Sequence, residues 1–179
     1  MHRWKFDNGL KKKTRGIKRK CRTFVNSITE YTASLPSPEN NSYLGYWHLH
    51  MPFNESFIDS KNTSNSVRKL CMQTMINRMQ HLMDIRTELE KEYRIYILIS
   101  LPKLFDSQIV VLFDKEDLNG FFDRDTEEQR WIPLPAERSI EKEWGLEIPK
   151  DLVIKGYKEI INDEDYFHEG ELWFIGELA

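Results

Sequence analysis

Apolar and polar positions recur with two periods along the chain, and the changes of period divide it into elements. Between residues 11 and 34, Ile17, Cys21, Phe24, Val25 and Ile28 recur at intervals of three and four. That is the spacing of one helix face. Basic residues fill the opposite side. Gly16 weakens the first turns, and Pro36 closes the helix ahead of a loop rich in Pro, Ser and Asn that runs to Ser42. A longer helix is predicted over 66–88, with Val67, Leu70, Cys71, Met75, Met79, Leu82 and Met83 as its apolar stripe. Ser64 or Ser66 is placed to cap it. Its methionines at 72, 75, 79 and 83 suit an adaptable core.

Between the helices the period drops to two. Residues 43–51, YLGYWHLHM, alternate as a strand that Pro52 ends. Tyr43, Trp47, Leu49 and Met51 share one face with Gly45 between them, and Leu44, Tyr46, His48 and His50 share the other. A polar loop follows over 53–65. Residues 92–100 form a second strand, with Tyr93, Ile95, Ile97 and Ile99 opposite Arg94, Tyr96 and Leu98. Residues 108–113, QIVVLF, are apolar on both faces, which suits an interior strand. The LPKLFDS connector can close these two as an antiparallel pair. A crossover from strand 43–51 through helix 66–88 to strand 92–100 is permitted, and a parallel one would be right-handed.

Short elements follow: a helix over 115–122, a strand at 129–133 ended by Pro133, and one or two helical turns at 137–144. The last part reads as a hairpin of strands 152–161 and 171–178 around an acidic turn, NDEDYFHEG. Residues 1–10 lack periodicity and read as a loose basic arm, with 11–179 as one domain. The fold class is α+β: a mixed sheet of five or six strands, two long helices and a C-terminal β-hairpin.

Composition sets bounds on this picture. The chain of 179 residues is 40% apolar and 31% charged, enough for a core, and it excludes collagen-like, disulfide-rich and wholly disordered classes. No run approaches the ~18 apolar residues of a membrane helix. No apolar stretch follows the basic N-terminus as a secretory signal requires, so the sequons at Asn40, Asn54 and Asn62 carry no weight. Cys21 and Cys71 each sit in a helical apolar pattern without metal-like spacing and read as buried thiols. A cytoplasmic protein with no membrane partner and no cofactor is expected.

The net charge of −3 conceals a split. Residues 1–24 carry ten basic groups and one acid, +9 in all; the rest carries −12. The basic patch comprises Lys11, Lys12, Lys13, Arg15, Lys18, Arg19, Lys20 and Arg22. Nucleic-acid binding by this helix is one reading, but the acidic body repels nucleic acid, and Trp4, Phe6 and Phe24 are too spread for a stacking platform. The patch instead suits the body of its own chain, or a contact between copies. From Glu159 onward there are seven acids and no Lys or Arg. Asp163, Glu164, Asp165, Tyr166 and Glu169 are the candidate residues for binding a basic protein partner, since aromatics among carboxylates can anchor as well as steer.

The enzyme reading centres on His48 and His50. Two residues apart on a strand, they share a face, and with a third ligand such as Asp59, His81 or His168 they could hold a metal or a small ligand. The paired His-x-Ser/Thr pattern of two-histidine phosphoesterases is not met, because the third residue is His50 and no second copy exists. Counted from Asp163, a calcium loop would need Gly and Glu where His168 and Phe174 stand. Asp123 and Asp125 form a lone D-x-D. No phosphate-cradling glycine motif and no G-x-S-x-G elbow occur. The sequence therefore leans away from an enzyme and names no catalytic residue.

The stretches RGIKRKCRTF, YWHLHMP with FIDS, SQIVVLF and GYKEIINDEDYFHEGELWFIGEL together resemble a small bacterial domain family of unknown function, over about residues 14–178. That resemblance implies no chemistry. In its compact, acidic, Trp-bearing character the chain is also similar to the immunity proteins that neutralise bacterial toxins. By that analogy, a basic toxin-like protein is the kind of partner to expect.

Overall fold

The computed structural model describes Gly16, Arg19, Arg22, Thr23 and Asn26, the backbone of 46–50, and residues 63–88, 94–112 and 129–177. The arm 1–10, Cys21, Asp59, the helix predicted over 115–122 and most of the helix predicted over 11–34 lie outside the described residues. The five described positions between 16 and 26 are helical, and the Thr23 hydroxyl donates to the Arg19 carbonyl at 3.1 Å.

Among the described residues six strands form one sheet: β1 (Tyr46–His50), β2 (Arg94–Leu101), β3 (Gln108–Leu112), β4 (Gln129–Pro133), β5 (Val153–Asp163) and β6 (Tyr166–Gly176). Their order across the sheet is β1-β3-β2-β6-β5-β4. Beside the helical positions between 16 and 26, the described residues form two helices, α1 (Asn65–Glu88) and α2 (Ile140–Trp144). The class is α+β, as the pattern predicts.

The sheet is not mixed. Every pairing among the described strands is antiparallel. The expected crossover does join two strands of the same direction, because β1 and β2 both run opposite to β3. But β3 is inserted between them, so the parallel pair never touches. The insertion suits β3's composition. Ile109, Val110, Val111 and Leu112 are all buried, and a strand apolar on both faces belongs in the interior. The predicted tight return from β2 to β3 is present, tightened by a 3-10 turn at Leu104–Asp106. The buried Ser107 hydroxyl accepts the Ser100 N–H at 3.0 Å.

Strand alternation divides the core in two. On one face Ile95, Ile97, Ile99, Ile109, Val111, Trp173 and Ile175 pack with α1. On the other, Tyr96, Leu98, Val110, Leu112, Leu172 and Phe174 form a second cluster with Trp131. There the Tyr96 and Phe174 rings lie 4.9 Å apart and tilted, a favourable edge-on geometry.

α1 buries Cys71, Met72, Met75, Ile76, Met79 and Leu82. The predicted stripe is therefore rotated: Leu70 is 45% exposed, while Met72 and Ile76 take the inward positions. A period-3.6 pattern with apolar residues at 70, 71, 72, 75 and 76 admits both settings, and contact with the sheet chooses one. Arg78 is buried too, and loss of hydration holds its guanidinium below the ordinary arginine pKa. The Ser64 carbonyl accepts the N–H groups of Val67 and Arg68, opening the helix. Gln73 then exchanges two hydrogen bonds with the backbone of Glu147, at 2.9 and 2.8 Å, fixing the segment after α2 on the helix. α2 ends at Gly145, whose φ of 63° is left-handed and favours glycine. No helix among the described residues is long and apolar enough to cross a membrane.

Candidate functional site

The acidic stretch turns out to be mostly strand. β5 and β6 pair from Val153↔Gly176 out to Asp163↔Tyr166, so only Glu164 and Asp165 form the turn. The nine-residue turn predicted from NDEDYFHEG is corrected to two residues. Tyr, Phe and Ile in that segment favour extended backbone, and the register carries the pairing nearly to the tip.

This geometry separates the seven acids into two groups. Four lie along the strands and meet groups of the same chain. Glu177 accepts two hydrogen bonds from Arg86. Glu171 accepts two from Arg138, and its Oε2 also accepts the Trp173 indole N–H at 3.2 Å. Glu169 pairs with Lys158 at 2.5 Å. Glu159 lies 3.6 Å from His168 Nε2 and accepts from Gln129 at 3.3 Å. The other three, Asp163, Glu164 and Asp165, are exposed at the tip. Among the described residues none of them has an ion pair.

Alternation along β6 sends its neighbouring aromatics to opposite faces. Tyr166 shares a face with Asp163 and His168. Its ring stacks on the imidazole at 6.3 Å, and Lys103 Nζ stands 4.5 Å from its centroid, within cation–π range. Phe167 shares the α1 face with Asn162 and is 65% exposed. Ile132 on β4, 47% exposed, and the half-buried Ile160 continue that face. Phe167 and Ile132 carry no charge pattern, and their exposure depends on where α1 stops covering the sheet. Phe167 stands among the aromatics of the acidic segment, whereas Ile132 lies outside it.

His168 is nearly buried, its side chain 9% exposed. Gly170 makes room for it: a Cβ there would lie 2.8 Å from His168 Nε2 and 2.7 Å from the Leu101 carbonyl. At 3.6 Å the approach to Glu159 is too long for a hydrogen bond.

Nearby, Arg138 clasps two elements. Its guanidinium reaches Glu143 on α2 at 2.5 and 2.7 Å and Glu171 on β6 at 3.1 Å twice. It stands 5.8 Å from the Trp173 ring centroid. These carboxylates raise the Arg138 pKa, and Arg138 in turn holds Glu143 below the ordinary carboxylate range. The clasp borders an open cleft of about 420 Å³, lined in part by Pro133, Leu134, Lys155 and Tyr157. With its one arginine shared between two glutamates, the cleft offers no unopposed positive charge from Arg138 for an anion.

β1 places the histidine pair at the other edge of the sheet. His48 registers with Val110 and His50 with Gln108. From His50, His168 lies three strands away and six residues further along, a step along the strands of roughly 20 Å at about 3.3 Å per residue. His81 is exposed on α1. Among the described residues no three His, Cys, Asp or Glu side chains gather closely enough to hold a metal ion.

The chain belongs to the family described as "Protein of unknown function (DUF3916)", whose model matches residues 25–177. No curated protein and no solved structure matches it.

Proposed function

We propose, for a chain whose family carries no assigned activity, that it is a non-enzymatic protein-binding module acting through the β5–β6 hairpin tip, and that its partner is a basic protein. The observation that carries this reading is the division of the acids. Glu159, Glu169, Glu171 and Glu177 meet groups within the fold, whereas Asp163, Glu164 and Asp165 are exposed at the tip, close in the chain to the exposed Phe167. Unmatched carboxylates raise the rate of encounter with a positive surface. An exposed aromatic supplies the area that anchors it once docked. Glu169, held by Lys158, belongs to the rim of this surface rather than its centre. A toxin-like basic protein, as the immunity-protein analogy implies, has the right charge.

The test is affinity capture with three baits: the native chain, D163K/E164K/D165K, and F167A. A basic protein retained by the native bait and lost from both variants is expected. An identical captured set for all three baits would overturn the reading.

A further inference from the structure

We propose that the cleft beside β5 is a peptide-binding site, which takes a short extended segment of another protein as an added strand. It is independent of the acidic tip: Gly156 in the cleft lies seven residues down β5 from Asp163, about 23 Å at about 3.3 Å per residue.

The site exists because β4 stops before β5 does. The ladder between them covers Tyr157–Ile161 and ends with Pro133 opposite Tyr157. One more bond follows, from the Leu134 N–H to the Gly156 carbonyl at 2.8 Å. Pro135 then opens a turn, in which its carbonyl accepts the Arg138 N–H at 2.9 Å, and the chain leaves for α2. β5 continues back to Val153 with β6 on its other side throughout.

Alternate residues of an antiparallel strand direct both backbone groups to the same side. Gly156 directs its carbonyl at Leu134, so Ile154 directs its N–H and C=O into the space that β4 has left. Among the described residues no backbone hydrogen bond reaches Ile154 from that side. The cleft of about 420 Å³ opens there, a volume in the range of ligand sites, about 300–1,000 Å³. It is lined by Ile154 and Gly156, by Pro135 and Ala136 of the turn, and by Leu134 and Trp173, whose side chains both approach Gly156.

This chemistry selects the occupant. Arg138 is shared between Glu143 and Glu171, which leaves a free anion little to bind. A donor and an acceptor on one strand residue match the two bonds of an antiparallel peptide residue, the recognition used when a peptide extends a sheet. The residue opposite Ile154 puts its side chain on the face that holds Leu134 and Trp173, so an apolar side chain fits there and at every second position.

The probe is a set of short blocked peptides with Lys at each end and Val alternating with Thr between, titrated into the full chain. In proton–nitrogen correlation spectra the Ile154 and Gly156 amides should shift saturably, and exchange of the Ile154 amide should slow at least about tenfold. N-methylation of the Val amides should abolish binding, because those point at Ile154; N-methylation of the Thr amides should not. Ile154→Pro removes only the N–H directed at the cleft and spares the β6 ladder, as an edge position allows, and should weaken binding at least about tenfold with the circular dichroism unchanged. D163K/E164K/D165K should bind these peptides as the native chain does, so this site and the tip stand or fall separately. Absence of a saturable shift at Ile154 and Gly156 overturns the inference. So does binding that survives methylation of the Val amides, which would mean that the cleft reads apolar side chains alone.

Discussion

Arg86 and Glu177 meet through two parallel hydrogen bonds, Nη1 to Oε2 at 2.6 Å and Nη2 to Oε1 at 2.8 Å, and so tie the last turn of α1 to the end of β6. The arginine side chain is 16% exposed, and its pairing with Glu177 raises its pKa. A two-pronged, partly shielded pair is worth more than an ordinary surface salt bridge. Glu177→Gln is expected to lower unfolding stability by about 1–2 kcal/mol in urea titration. A double-mutant cycle with Arg86→Met should return a coupling of about 1 kcal/mol. Strict additivity would mean that the pair contributes nothing.

The Arg138 clasp gives stability a pH dependence. Hydrogen bonds from Arg138 hold the Glu143 carboxyl below its ordinary value of 4.5. A carboxylate with a lowered folded pKa stabilises fully above the unfolded value, and that contribution is lost as pH falls through the folded value. The melting temperature should therefore decline below about pH 4.5 more steeply for the native chain than for Arg138→Met. Parallel profiles would remove this role for the pair.

Gly156 carries a packing constraint. A Cβ added there would lie 2.7 and 2.8 Å from two Trp173 ring carbons and 2.9 Å from Leu134 Cδ1. Trp173 is 2% exposed and has little room to retreat. Gly156→Ala should cost about 1–3 kcal/mol and shift the tryptophan emission. Native-like stability and emission together would show that the ring moves freely.

The rotated stripe of α1 predicts a contrast. Ile76, 1% exposed on the inward side of α1, should lose about 2–5 kcal/mol on replacement by Ala. Leu70→Ser, on the solvent side, should change stability by no more than about 0.5 kcal/mol. Comparable losses at both positions would contradict the observed helix setting.

What the sequence could reveal followed from local periodicity. β2, β3 and the C-terminal hairpin were legible because alternation and apolar runs are written within each segment. The methionines of α1 were legible as core for the same reason: Met72, Met75 and Met79 are buried. What escaped depends on partners distant in the chain. The insertion of β3 between β1 and β2 is a matter of strand order, which no local pattern encodes. The clasp from Arg138 to Glu171 and the pair from Arg86 to Glu177 span 33 and 91 residues. Seven acids in a row of strands therefore looked like one acidic surface, although four of them answer groups elsewhere in the fold. The histidine spacing correctly put two residues on one strand, but spacing could not place a third ligand. Exposure of Phe167 and Ile132 follows from where helix cover ends, which is a property of the assembled layers.

The place of β6 in the sheet bears on how the protein is made. Of the six described strands it is the last to be synthesised, yet it sits between β2 and β5 and pairs with both. Until it emerges, the β1-β3-β2 half and the β4-β5 half have no common strand. Each must wait with an apolar edge open. Domains tend to fold as units as they are made, and here the joining strand comes late, so a nascent chain paused before Tyr166 would hold two unjoined halves. Such a chain leaves open the strand edges of β2 and β5 that β6 later fills, and open edges are where sheets pair with other chains.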